Sequence, residues 1–177
     1  VHGGAISGLA TTASGSLLSV GWDDKMFVTD KSGSVGLDSV SLGAQPSAIT
    51  TGSDLGVIAT VEGILLVFDG KISDMIKVPY GAQAVCVSKD DKTVYVGGDD
   101  CKVHVYDVTD GGSSLSEKKV IDGHLKAVHA LALSNDGTKL ASGDARDVCI
   151  WDLANDYATI IGPGRWCFHV QRITCLS

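Results

Sequence analysis

Thr93-Val94-Tyr95-Val96-Gly97-Gly98-Asp99-Asp100-Cys101-Lys102-Val103-His104-Val105-Tyr106-Asp107 is the stretch on which the fold turns. Two runs of alternating β-branched and aromatic residues flank a Gly- and Asp-rich turn, which is the pattern of a β-hairpin. An earlier strand, Ala84-Val85-Cys86-Val87-Ser88, is set off from it by Lys89-Asp90-Asp91-Lys92. The closing run, apolar and ended by Asp, recurs as Phe27-Val28-Thr29-Asp30, Leu66-Val67-Phe68-Asp69 and Cys149-Ile150-Trp151-Asp152. Its final Asp returns after 39, 38 and 45 residues, and the longest interval holds Asp110-Gly111-Gly112-Ser113-Ser114, read as a loop insertion.

Outward from that hairpin the same plan repeats. Val128 to Ser134, the turn Asn135-Asp136-Gly137, and Lys139 to Gly143 form the fourth unit. Ile6 to Ala10 with Leu17 to Gly21, and Pro46 to Thr50 with Val57 to Thr60, fill those places in the first two. A fourth strand fits between units at Met75 to Val78, Lys118 to Ile121 and Ala158 to Ile161. Four short antiparallel strands per forty residues predict a β-propeller blade, a sheet that must stack on its neighbours to bury both faces. The expected fold is therefore all-β: a partial propeller over residues 1–177, with repeats near 1–30, 31–69, 70–107 and 108–152 and an incomplete one over 153–177. Ile173-Thr174-Cys175-Leu176-Ser177 reads as the first strand of a fifth blade, so four blades plus one strand of a larger ring, which commonly has six to eight blades, are expected from a longer chain.

Composition agrees. The 177 residues include 22 Gly, and Val, Ile and Thr make up about a quarter of the chain, as suits pleated surfaces. Of 21 acidic residues only Glu62 and Glu117 are Glu. Asp favours turns through bonds to its own backbone, whereas Glu favours helices. A net charge of −7 with scattered Lys and Arg disfavours nucleic-acid binding. The longest apolar stretch, Val57 to Phe68, carries Glu62 and is too short for a membrane span. Five cysteines without a CxxC pair suit a reducing, cytoplasmic setting.

Gly123-His124 followed by Trp151-Asp152, with 27 residues from His to Trp, is the WD-repeat signature. Its physical content is a chain of buried hydrogen bonds: a His ahead of the first strand, a Ser or Thr on the second, an Asp in the hairpin and the Trp N–H on the third. His124, Ser142 and Trp151 fill three places, and Asp144 or Asp147 the fourth, because this hairpin is one residue short. His2, Ser19 and Asp23 begin a second set, with Thr29 where Trp would stand. The third unit keeps Asp100, has no His, and places Tyr106 at the Trp position.

Leu18-Ser19-Val20-Gly21-Trp22-Asp23-Asp24, the stretch from Val94 to Tyr106, and Arg165-Trp166-Cys167-Phe168-His169 with Ile173 to Ser177 resemble, in order, the actin-interacting protein 1 family. The resemblance falls in that family's second, C-terminal propeller. It implies a protein of two joined seven-bladed propellers that binds actin filaments decorated with ADF/cofilin and promotes their disassembly, in the actin cytoskeleton. The first propeller, to which the family's best-known actin and cofilin contacts belong, is absent from these residues, and no family binding residue is carried over. A propeller scaffold for an unrelated complex is the alternative.

Other constellations have plainer readings. His124 and Ser142 with Asp144 or Asp147 superficially form a catalytic triad, but no Gly-x-Ser-x-Gly elbow presents the Ser. Cys101-x-x-His104 and Cys167-x-His169 are too few ligands for zinc, and alternation throws the first pair apart. Asp90-Asp91 and Asp99-Asp100 lack calcium-loop spacing and read as turns. Gly97-Gly98, Gly111-Gly112 and Gly162-Pro163-Gly164 open no helix and cradle no phosphate. No cofactor and no catalysis are expected. Trp22, in a hairpin turn beside Asp23 and Asp24, is a candidate interface anchor or, more simply, packs on a neighbouring blade. Lys126 would share that face, as a partner contact or a solvated lysine.

Overall fold

The computed structural model describes residues 2–34, 39–68, 71–166, 173 and 176. Four four-stranded antiparallel sheets follow one another along the chain, each a meander whose neighbours in sequence are neighbours in the sheet. The first holds β1 (Ile6–Thr11), β2 (Leu17–Gly21), β3 (Lys25–Thr29) and β4 (Val40–Ser41); the second β5 (Pro46–Thr51), β6 (Leu55–Thr60), β7 (Gly63–Phe68) and β8 (Lys71–Lys77). The third holds β9 (Ala82–Val87), β10 (Thr93–Gly98), β11 (Lys102–Thr109) and β12 (Ser114–Asp122); the fourth β13 (Ala130–Leu133), β14 (Lys139–Gly143), β15 (Val148–Asp152) and β16 (Ala158–Ile161). No α-helix occurs among the described residues; the one helical turn is 3₁₀, Asp110–Gly112.

The sheets stack as blades. The first strands of successive sheets lie against one another, β1 on β5, β5 on β9 and β9 on β13. Three apolar layers fill the gaps. Leu18, Val20 and Met26 of the first sheet meet Ile58, Leu65 and Val67 of the second. The opposite face of the second, with Val57, Ile64 and Leu66, meets Val85, Val94, Val96 and Tyr106 of the third. Tyr95, Val103 and Val105 then meet Leu140, Cys149 and Trp151 of the fourth. A central strand enclosed on both sides is buried at every position, as β6 is. Full burial of each Val, Leu or Ile contributes about 1.5–3 kcal/mol, so stacking is what a lone sheet lacks. These are four blades of a β-propeller.

The hairpin quoted first is β10–β11, with Val94 opposite Tyr106 and Val96 opposite His104. Residues Asp110–Ser113 make the tip of an extended β11–β12 hairpin, so the insertion lengthens two strands. The first sheet also has a fourth strand, the two-residue β4, which the sequence pattern does not mark. The closing Asp69 lies outside the described residues, as do Cys167, His169, Cys175 and three of the five residues from 173 to 177. Ile173 itself is buried against Ala130 and Val148, and its N–H donates to the Asp144 carbonyl at 3.2 Å. The Val128 N–H donates likewise to the Gly98 carbonyl at 3.0 Å, where the third blade meets the fourth.

Candidate functional site

Each turn between a blade's second and third strands docks on the segment leading into that blade's first strand. The Trp22 N–H donates to the Ala5 carbonyl at 2.9 Å, the Val61 N–H to the Gln45 carbonyl at 3.1 Å, and the Asp99 N–H to the Gly81 carbonyl at 3.0 Å. In the fourth blade His124 of the lead-in reaches Asp144 of the turn at 3.1 Å, so all four hairpins and their lead-in segments share one face. The turns between first and second strands occupy the other. There Thr51 donates to the Thr11 carbonyl at 2.7 Å, and the Asp91 carboxylate accepts the Ser53 and Asp54 N–H groups at 3.0 and 2.8 Å. Lys89 reaches Asn135 on that same face, at 2.9 Å to its side-chain oxygen.

In the fourth blade, His124 sits with Nδ1 at 3.1 Å from Asp144 Oδ2 and Nε2 at 2.6 Å from Ser142 Oγ, which accepts the Trp151 N–H at 2.8 Å. Asp144, rather than Asp147, turns inward. Burial pulls its carboxyl upward, but hydrogen bonds from the Asp147 and Arg146 N–H groups and from His124 outweigh this and leave it below the ordinary value. Asp147 instead accepts the Gly164 N–H at 3.1 Å. Gly123 has a steric reason to precede the His: a Cβ there would stand 2.6 Å from the rim of the Trp151 indole. Ser142 is 0% exposed and engaged on both sides, so no path leads a substrate to its hydroxyl.

The first blade brings three of its four candidates together. His2 Nδ1 lies 2.9 Å from Asp23 Oδ1 and Nε2 2.9 Å from Ser19 Oγ, while the Gly3 N–H caps Asp23 Oδ2 at 2.8 Å. The bond from His2 holds the Asp23 carboxyl below the usual range. In the third blade Tyr80 takes the place of the missing His. Its hydroxyl lies 2.6 Å from that of Tyr106, and its ring stacks on His104 at 3.8 Å. His104, a third-strand residue, reaches Asp100 at 3.1 Å and Glu117 at 2.9 Å. Both carboxylates are pure acceptors, so a neutral ring can donate to only one of them at a time. Sequence reasoning missed Tyr80 and the role of His104; the signal was Tyr80-Gly81 standing just before a first strand, where the first and fourth blades carry their His. Every buried side-chain N or O among the described residues has a partner.

The paired Cys101 and His104 do not converge. Cys101 lies in the turn at φ 69° with Sγ toward the Asp99 carbonyl, whereas His104 is buried between its carboxylates. No cluster of three or more His, Cys, Asp or Glu suited to a metal is found among the described residues. Burial pushes the Cys86 and Cys149 thiols up to about 11 and about 12, the range of inert packing residues. No helix among the described residues is long and apolar enough to cross a membrane.

On the hairpin face, Trp22 is 63% exposed; Leu125, at 79%, and Val61, at 48%, accompany it there. Lys126 is exposed next to Leu125. Turns held by such hydrogen-bond chains present loop side chains from a rigid scaffold.

Known proteins agree with this architecture. The family of the WD domain, G-beta repeat, matches residues 77–107 and 115–152, so the class is that of WD-repeat proteins. Within it, the chain belongs to the actin-interacting protein 1 family. Actin-interacting protein 1 of Caenorhabditis elegans is 35% identical across all of this chain, which covers 29% of that protein. The 66 kDa stress protein of Physarum polycephalum is 34% identical over 77% of this chain and 22% of its own length. Actin-interacting protein 1 of Drosophila melanogaster is 29% identical over 99% of this chain, again 29% of that protein. The chain thus spans less than a third of the relatives it matches.

Proposed function

We propose that this protein is a non-catalytic actin-filament-binding protein that cooperates with ADF/cofilin in filament disassembly. The single observation behind this reading is similarity along the entire chain to actin-interacting protein 1 of Caenorhabditis elegans. The physics is compatible. Stacked blades form a stiff platform, the hairpin face presents exposed Trp22 and Lys126 as candidate contacts, and binding that favours a severing-prone filament state shifts the filament population toward disassembly. Catalysis has no part in this scheme, because the Ser, His and Asp that imitate a triad are committed to holding a blade together. Cosedimentation with cofilin-decorated filaments, and faster depolymerisation when both proteins are present, are the expected results. A full-length protein that neither binds such filaments nor speeds their depolymerisation would overturn the reading.

A further inference from the structure

All three arginines of the chain, Arg146, Arg165 and Arg172, fall in its last 32 residues, although the net charge is −7. Two of them are drawn to one corner of the hairpin face. His124 is bonded to Asp144, whose other oxygen accepts the Arg146 N–H at 2.7 Å, and the neighbouring Asp147 accepts the Gly164 N–H. These bonds bring two connections, one carrying Leu125 and Lys126 and the other Arg165 and Trp166, to the single hairpin that carries Arg146. Lys126, Arg146 and Arg165 are all exposed, and none forms an ion pair among the described residues. Beside them Leu125 is 79% and Trp166 44% exposed. The nearby acids are engaged: Asp144 by His124, Asp147 by the Gly164 N–H, and Asp122 by Lys102 at 3.3 Å. The other hairpins carry the opposite sign, with Asp23 and Asp24, Glu62, and Asp99 and Asp100.

We infer that this corner, built from Leu125, Lys126, Arg146, Arg165 and Trp166, docks a carboxylate-rich protein surface, which on the actin reading above is the acidic side of the filament. Three unpaired cations around two exposed apolar side chains combine charge complementarity at a rim with desolvation at a centre. Carboxylates on the adjoining hairpins repel a phosphate backbone or an anionic membrane spread over the whole face. They also orient a partner whose charge is concentrated at one place.

The experiment is cosedimentation of the full-length protein with cofilin-decorated actin filaments. It compares wild type, the triple variant Lys126→Glu with Arg146→Glu and Arg165→Glu, and a control, Lys139→Glu, on the opposite face. Equal thermal midpoints establish that the exposed substitutions leave the fold intact. Binding at least about tenfold weaker in the triple variant alone, with a shallower salt dependence, is the expected result. Equal binding by wild type and triple variant overturns the inference and leaves the actin reading standing, whereas no binding by wild type overturns both. Charge-dependent capture of phosphatidylserine vesicles or of RNA, with actin binding unchanged, overturns it in favour of those partners.

Discussion

His124 Nε2 stands 2.6 Å from the Ser142 hydroxyl oxygen, and that same oxygen receives the Trp151 N–H. Asp144 orients the ring: a carboxylate only accepts, so Nδ1 carries a proton, and in the neutral form of an imidazole Nε2 is then the acceptor. Two strands, the turn between them and the lead-in segment are thus joined by one chain of hydrogen bonds. Ser142→Ala removes the middle group and strands two buried partners. It should destabilise the intact protein by about 3 kcal/mol, at one to a few kcal/mol per orphaned group, as read from urea unfolding.

Asp144 supplies an acid limit. Its folded carboxyl lies below the unfolded value of 3.8, so its stabilisation is complete above that value and drains as pH falls toward the lower folded value. Asp144→Asn, which cannot titrate, should be less stable than wild type near neutrality. The gap should narrow as the pH is lowered below about 4, as followed by thermal unfolding across a pH series.

Gly123→Ala places a methyl group against the Trp151 ring, and Trp151 is too enclosed to move aside. The expected loss is about 1–3 kcal/mol, the range for overpacking a core. Near-ultraviolet circular dichroism should report the displaced indole.

Tyr80 and Tyr106 offer a test of the third blade's substituted network. Removing either hydroxyl breaks the bond between them, so Tyr80→Phe and Tyr106→Phe should each cost about 1 kcal/mol. The double variant should cost less than the sum of the two. A double-mutant cycle giving strict additivity would show that the pair is not coupled.

Asp91→Ala should act across blades. The carboxylate accepts the Ser53 and Asp54 N–H groups from the blade before, and Gly52 leaves room for it to reach them. The loss is expected near 1 kcal/mol, because the site is exposed. Hydrogen exchange at those two amides should accelerate more than at the Thr93–Gly98 strand.

Much of this was legible in the residues. Alternation around Asp99-Asp100-Cys101 marks a hairpin because a strand with two packed faces leaves few other patterns, and the Gly-His to Trp-Asp interval marks the fourth blade. The choice between Asp144 and Asp147 was not legible. It depends on how a shortened hairpin turns, and only backbone geometry decides which carboxylate faces His124. Tyr80 escaped because a phenol replaced an imidazole, changing the residue class while keeping the hydrogen bond. The two-residue β4 is too short to show any periodicity. The basic corner is split between residues 125–126, 146 and 165, which become neighbours only once two connections meet one hairpin.

The hairpin-base carbonyls that receive an N–H from further along the chain, Gly98 from Val128 and Asp144 from Ile173, have a mechanical consequence. Load applied at one end passes through the sheets in series, so rupture should travel vane by vane from the least-supported edge. Any partner pulling on this platform would feel a spring whose stiffness is that of its weakest joint.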